Sequence, residues 1–197
     1  MIPIQDVVPP TRAPLATIGL IGLNAVVFVH QLATAAGSPV TTALWLFSHS
    51  GVAHFVLNML FLWLFGDNVE DRLGRRALVA CYAVCGAAGG VTHWMVAGHG
   101  LTPDVTSSAA VAGVVGAYFV LLPQSRVLVL SPVPLSLHEV PALFFLVMFW
   151  VLQAIIFVVT PTATRSPSSA AGAMIALTVA FACGALVAVM RRQPIRW

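Results

Sequence analysis

The stretch FSHSGVAHFVLNMLFLWLFGDNVEDRLGRR, residues 47–76, decides the fold. It opens with His49, His54 and Asn58, continues as a run of large apolar residues, and ends in the charged segment GDNVEDRLG. His54 and Asn58 are four residues apart, so a helix places them on one face. An imidazole and an amide on a lipid-length apolar helix are costly in hydrocarbon. Such groups mark a cavity or a tight polar contact. Working outward, the rest of the chain has the same character. Its 197 residues include 8% charged ones, all nine basic residues are arginine, and the mean hydropathy is +0.97. That composition belongs to a polytopic membrane protein and leaves no polar segment long enough to enclose a separate soluble core.

Apolar runs divide the chain into six spans. They cover Leu15 to about Ala35, Gly51 to Phe65, Ala77 to Val96, Ser107 to Leu122, Pro141 to Thr160, and Ala170 to Met190. A bilayer requires roughly 17–25 apolar residues per helix, so the second and fourth spans look short. Met1–Pro14 is a polar, proline-containing lead, and Gly37–Leu46 is a short link. Gly66–Arg76 is expected to be a turn, Pro123–Val140 a proline-broken loop, and Arg191–Trp197 a basic tail. The expected fold class is all-α: one polytopic membrane domain over 1–197, with six helices within 15–190. Asn24 and His30 in the first span are expected to face other helices. With six spans, eight arginines fall on the side of both termini and Arg165 alone on the other, which places the termini in the cytoplasm.

Small residues recur every four positions as Ala109, Gly113 and Ala117, and again as Ala180, Gly184 and Ala188. Such stripes let helix backbones approach closely in lipid. Cys81 and Cys85 are one helical turn apart, a spacing that can bind metal. No further ligands cluster nearby, so they are read as apolar filler. No cofactor, metal or nucleic-acid partner is expected.

The opening stretch resembles the second membrane helix of bacterial rhomboid intramembrane proteases. The pattern F-x-H-x-G-x-x-H-x-x-x-N, followed by W-x-F-G and V-E-D-R-x-G, is matched by Phe47, His49, Gly51, His54, Asn58, Trp63, Phe65, Gly66, Val69, Glu70, Asp71, Arg72 and Gly74. The L-x-x-L-N-x-x-V-F run of the first span also fits, as does the segment after the fourth. The resemblance implies a serine nucleophile at the start of the fourth helix and a histidine base on the sixth, because a hydroxyl is a poor nucleophile until its proton is taken. It also implies an oxyanion site from the second helix, whose donors are each worth roughly 10²–10³ in rate.

Counting back from Gly116-Ala117-Tyr118 puts the nucleophile position at Ser108, and the oxyanion positions are His54 and Asn58, with His49 beside them. Two features depart from the family. The serine motif reads Thr106-Ser107-Ser108-Ala109, without its flanking glycines, and Phe181 occupies the base position. The first outer link is also too short for the family's embedded hairpin. Ser107 and Ser108 can equally serve as caps of the fourth helix, and His54 and Asn58 as an interhelical hydrogen-bond pair.

The expected function is a catalytically inactive rhomboid-like protein of the bacterial cell membrane. It would bind a transmembrane helix or serve as accessory subunit of a larger membrane complex, with other membrane proteins and the bilayer as partners. The alternative is an active rhomboid-type serine endopeptidase using Ser108 with a non-standard base, His54 being the nearest candidate. A channel or carrier is disfavoured because no intramembrane acid or arginine pair lines a path. Phe144, Phe145, Phe149 and Trp150 on the fifth helix are expected to fill or flank a gap beside the second.

Overall fold

A computed structural model describes residues 2–8, 10–34, 44–98, 103–132, 135–159 and 167–191. The expected link at 37–43, the loops at 99–102 and 160–166, and the tail at 192–197 lie outside them. Among the described residues there are six α-helices: α1 (Leu15–Ala33), α2 (Val52–Leu73), α3 (Arg75–Ala97), α4 (Pro103–Leu121), α5 (Ala142–Val159) and α6 (Pro167–Arg191). The segments Leu15–Ala33, Val52–Leu73, Arg75–Ala97 and Ala170–Arg191 are long and apolar enough to cross a membrane, and two shorter apolar helices cover Val105–Leu121 and Ala142–Phe157. The chain is a multi-pass membrane protein built as a helical bundle.

The second span is not short. The expected turn at Gly66–Arg76 is helical as far as Leu73, and Gly74 alone breaks the chain between α2 and α3. Asp67, Asn68, Glu70 and Asp71 tolerate the helix because each has a hydrogen-bond partner. Glu70 accepts the backbone N–H groups of Ala16 (3.0 Å) and Thr17 (2.7 Å) and the Thr17 hydroxyl (2.9 Å), so it caps the uncapped start of α1. Gly74 turns the corner at φ +88°, a conformation side chains disfavour.

Two expected irregular segments are strands. The N-terminal lead supplies β1 (Ile2–Asp6), and the proline-broken loop supplies β2 (Arg126–Pro132) and β3 (Leu135–Pro141). They form an antiparallel sheet in the order β1-β2-β3. Val127 and Val129 alternate inward onto the core and are buried. Asp6, at the end of β1, is buried and accepts hydrogen bonds from the Tyr118 hydroxyl of α4, from Ser125 (2.5 Å), from Asn68 of α2 (3.2 Å) and from the Val8 backbone (3.0 Å). One carboxylate thus ties the sheet to two membrane helices.

The small-residue stripes work as expected. A side chain at Gly184 would meet the Gly113 backbone, and one at Gly116 would meet the Phe181 backbone, so α4 and α6 pack with their main chains in contact. Asn24 faces inward as expected, accepting from Tyr82 (3.2 Å). His30 does not. It is only half-buried, next to Thr34 one turn on.

Candidate functional site

The site grows from the 3-10 turn at Trp45–Phe47 and the first turns of α2 and α4. Gln31 of α1 clamps the backbone of His49 through both amide atoms: its Nε2 donates to the His49 carbonyl (2.6 Å) and its Oε1 accepts the His49 N–H (3.0 Å). The His49 ring lies edge-on to Phe28, Phe55 and His54, with its Nδ1 3.1 Å from the Phe47 carbonyl. It therefore packs beside His54 and holds the entry of α2.

His54 and Asn58 share a face as the spacing predicts, and both are buried. Ser108 meets them from α4, its Oγ 2.5 Å from His54 Nε2 and 3.2 Å from Asn58 Nδ2. Thr106, Ser107 and Ser108 are fully buried. The capping reading of Ser107 and Ser108 is corrected: α4 begins at Pro103, so Ser108 sits in its second turn. A glycine-free segment fits there because the helix is already regular and needs no special backbone geometry.

Gln153 of α5 completes the group. Its Oε1 accepts from Ser108 Oγ (3.3 Å) and its Nε2 donates to Asn58 Oδ1 (2.9 Å). Sequence reasoning missed it. The available signal was its place as the one amide in the apolar helix ALFFLVMFWVLQAIIFVV.

The hydrogens can be assigned from the partners. Ser50 presents its backbone N–H (3.5 Å) and its hydroxyl (3.0 Å) to His54 Nδ1. With Nδ1 accepting from Ser50, the imidazole proton lies on Nε2 and faces Ser108; with the other tautomer, Nε2 accepts. Asn58 Nδ2 lies 3.0 Å from His54 Nε2 and 3.2 Å from Ser108 Oγ; it donates to the serine oxygen in the first tautomer and can donate to Nε2 in the second. The serine proton passes to Gln153, and the Gln153 amide passes to Asn58. In the Nε2–H tautomer the ring closes across α2, α4 and α5.

Phe181 is not brought to Ser108. Its backbone packs on Gly116, eight residues further along α4, and its ring lies 6.2 Å from Trp150. Among the described residues, Gly172, Ala173, Ala176, Leu177 and Ala180 are the buried ones of α6 before it. Of the four aromatic residues expected on α5, Phe145 and Phe149 are buried, Phe149 against Phe61 of α2 (4.9 Å). Trp150 is half-buried, and Phe144 is 55% exposed. The gap beside α2 is thus crossed by Phe149 and by Gln153, with Phe157 against His54 (6.5 Å).

The family model of the Rhomboid domain matches residues 36–194. The chain belongs to the rhomboid family. No curated protein and no solved structure matches it.

Proposed function

We propose that this rhomboid protein has lost proteolysis and binds a transmembrane helix, alone or as an accessory subunit of a larger membrane complex. One observation carries the reading: Gln153 hydrogen-bonds both Ser108 and Asn58. A nucleophile needs a base that can take its proton. In the ring as assigned, His54 already carries a proton towards Ser108, and the serine proton is committed to a glutamine that cannot keep it. An oxyanion needs donors aimed at where charge develops, whereas Asn58 spends its amide on Ser108. His54, Asn58, Ser108 and Gln153 act as a polar lock between α2, α4 and α5. His49 braces the lock, and Phe181 adds no acid–base group. The reading extends to a single domain in a bacterial inner membrane with both termini cytoplasmic, supported by the arginines gathered at the end of the bundle that holds Gly74.

The 2.5 Å contact between Ser108 Oγ and His54 Nε2 favours a second reading. With the other imidazole tautomer, His54 would accept the serine proton and an active endopeptidase would result. A fluorophosphonate probe on the purified protein, with Ser108→Ala beside it, separates the two. The lock predicts no labelling in either; labelling lost in Ser108→Ala would establish the protease. Helix binding is tested by a photo-crosslinking residue at Phe144 on the exposed face of α5, against one at Val29 on α1. Capture of membrane proteins is expected at Phe144 alone, and equal capture at both positions would refute a docking role for α5.

A further inference from the structure

We propose that the corner around Gly74 is a binding site for one anionic phospholipid, its phosphate held by arginines and an acyl chain laid between α3 and α6. A cavity of about 440 Å³ is lined by Arg12, Arg75, Arg76 and Arg191 together with Glu70 and Asp71. Beside it, an apolar groove of about 210 Å³ is lined by Ala77, Ala80, Cys81, Val84, Val187 and Met190. Ala77 and Arg191 line both, so the polar chamber adjoins the apolar one. A charged head joined to a hydrocarbon tail matches that pair of chambers; a soluble anion would use only the first.

The charge balance favours an anion. Four guanidinium groups face two carboxylates. Glu70 is already engaged by Ala16, Thr17 and Arg75 (3.4 Å), and Asp71 accepts from Thr11 (2.7 Å). Among the described residues, Arg75 alone of the four lies within ion-pair distance of a carboxylate. The cavity lies where α2 ends and α3 begins, with Ala13 ahead of α1 and Arg191 closing α6. This is the depth of a membrane headgroup. Basic chambers between membrane helices at that depth hold anionic headgroups, each arginine adding about fivefold in affinity near the surface. A bound lipid would clamp α1, α3 and α6 together.

The test is native mass spectrometry and thermal unfolding of the full chain with phosphatidylglycerol, phosphatidylcholine, or inorganic phosphate alone. Retention of phosphatidylglycerol but not phosphatidylcholine is expected. Arg76→Gln with Arg191→Gln, both exposed side chains, should weaken that retention by about 25-fold, from about fivefold per arginine, with unfolding in phosphatidylcholine unchanged. Ala80→Trp, which fills the groove, should weaken lipid retention and leave any stabilisation by phosphate intact. Equal retention of the two lipids, or undiminished retention in the arginine variant, would overturn the site. Phosphate that stabilises as well as phosphatidylglycerol, with no effect of Ala80→Trp, would make the ligand a soluble anion and overturn the lipid assignment.

Discussion

Two buried polar clusters sit on the same helix, ten residues apart on α4, and they differ in kind. At Ser108 the groups are a hydroxyl, an imidazole and two amides, joined in a closed ring. At Tyr118 the hub is the carboxylate of Asp6, and every contact is a donor aimed at it. About 15 Å of helix separates them by helical rise. The first cluster resembles an active site and holds three membrane helices together. The second has no catalytic pattern and ties the N-terminal strand to the bundle. A buried charge with several donors contributes more than neutral hydrogen bonds do, because bonds to charged groups are worth about 1.5–3 kcal/mol and neutral ones about 1. The cluster of catalytic appearance should therefore matter less to stability than the one without it.

Removing Asp6 is the strongest way to break that comparison. Asp6→Ala leaves the buried Tyr118 and Asn68 donors without their acceptor and should cost about 3 kcal/mol or more, read as a lowered unfolding midpoint in mild detergent. Asp6→Asn keeps an acceptor oxygen and should recover part of the loss. A variant as stable as wild type would mean that the sheet is not anchored through this carboxylate. Gln153→Leu is intermediate: near-equal in volume, it leaves Ser108 and Asn58 each short of a partner and should cost about 1–2 kcal/mol. It should also loosen α5, so amide exchange in α5 should rise more than in α4. Protection unchanged in α5 would argue that the aromatic contacts hold it without the glutamine. Ser108→Ala is the smallest, at about 1 kcal/mol or less, since it removes a small group from a ring whose other members can rebond.

What could be read in advance followed from periodicity and polarity. His54 and Asn58 announced themselves because polar groups in an apolar helix at a spacing of four share a face. Ser108 followed from the family pattern, and the α4–α6 contact from the small-residue stripes. The sheet was hidden: β1 ends at Asp6 and its partner β2 begins only at Arg126, and prolines interrupt the alternation that would mark them. The extra turns of α2 were hidden for a related reason. Asp67, Asn68, Glu70 and Asp71 look like a solvated corner until Thr17, Asp6 and Thr11 are brought to them. Gln153 was visible as a polar break but its partners lie on other helices. Phe181 shows the limit of alignment by motif: its position in the pattern did not fix its depth against Ser108.

The most direct measurement is the tautomer of His54 in the membrane-embedded protein, read by nitrogen-15 NMR on histidine-labelled samples, with His54→Gln to assign the signal. The closed ring predicts a neutral imidazole protonated on Nε2, with Nδ1 accepting from Ser50. A proton found on Nδ1, with Nε2 unprotonated and accepting from Ser108, would contradict the lock and give Ser108 its base.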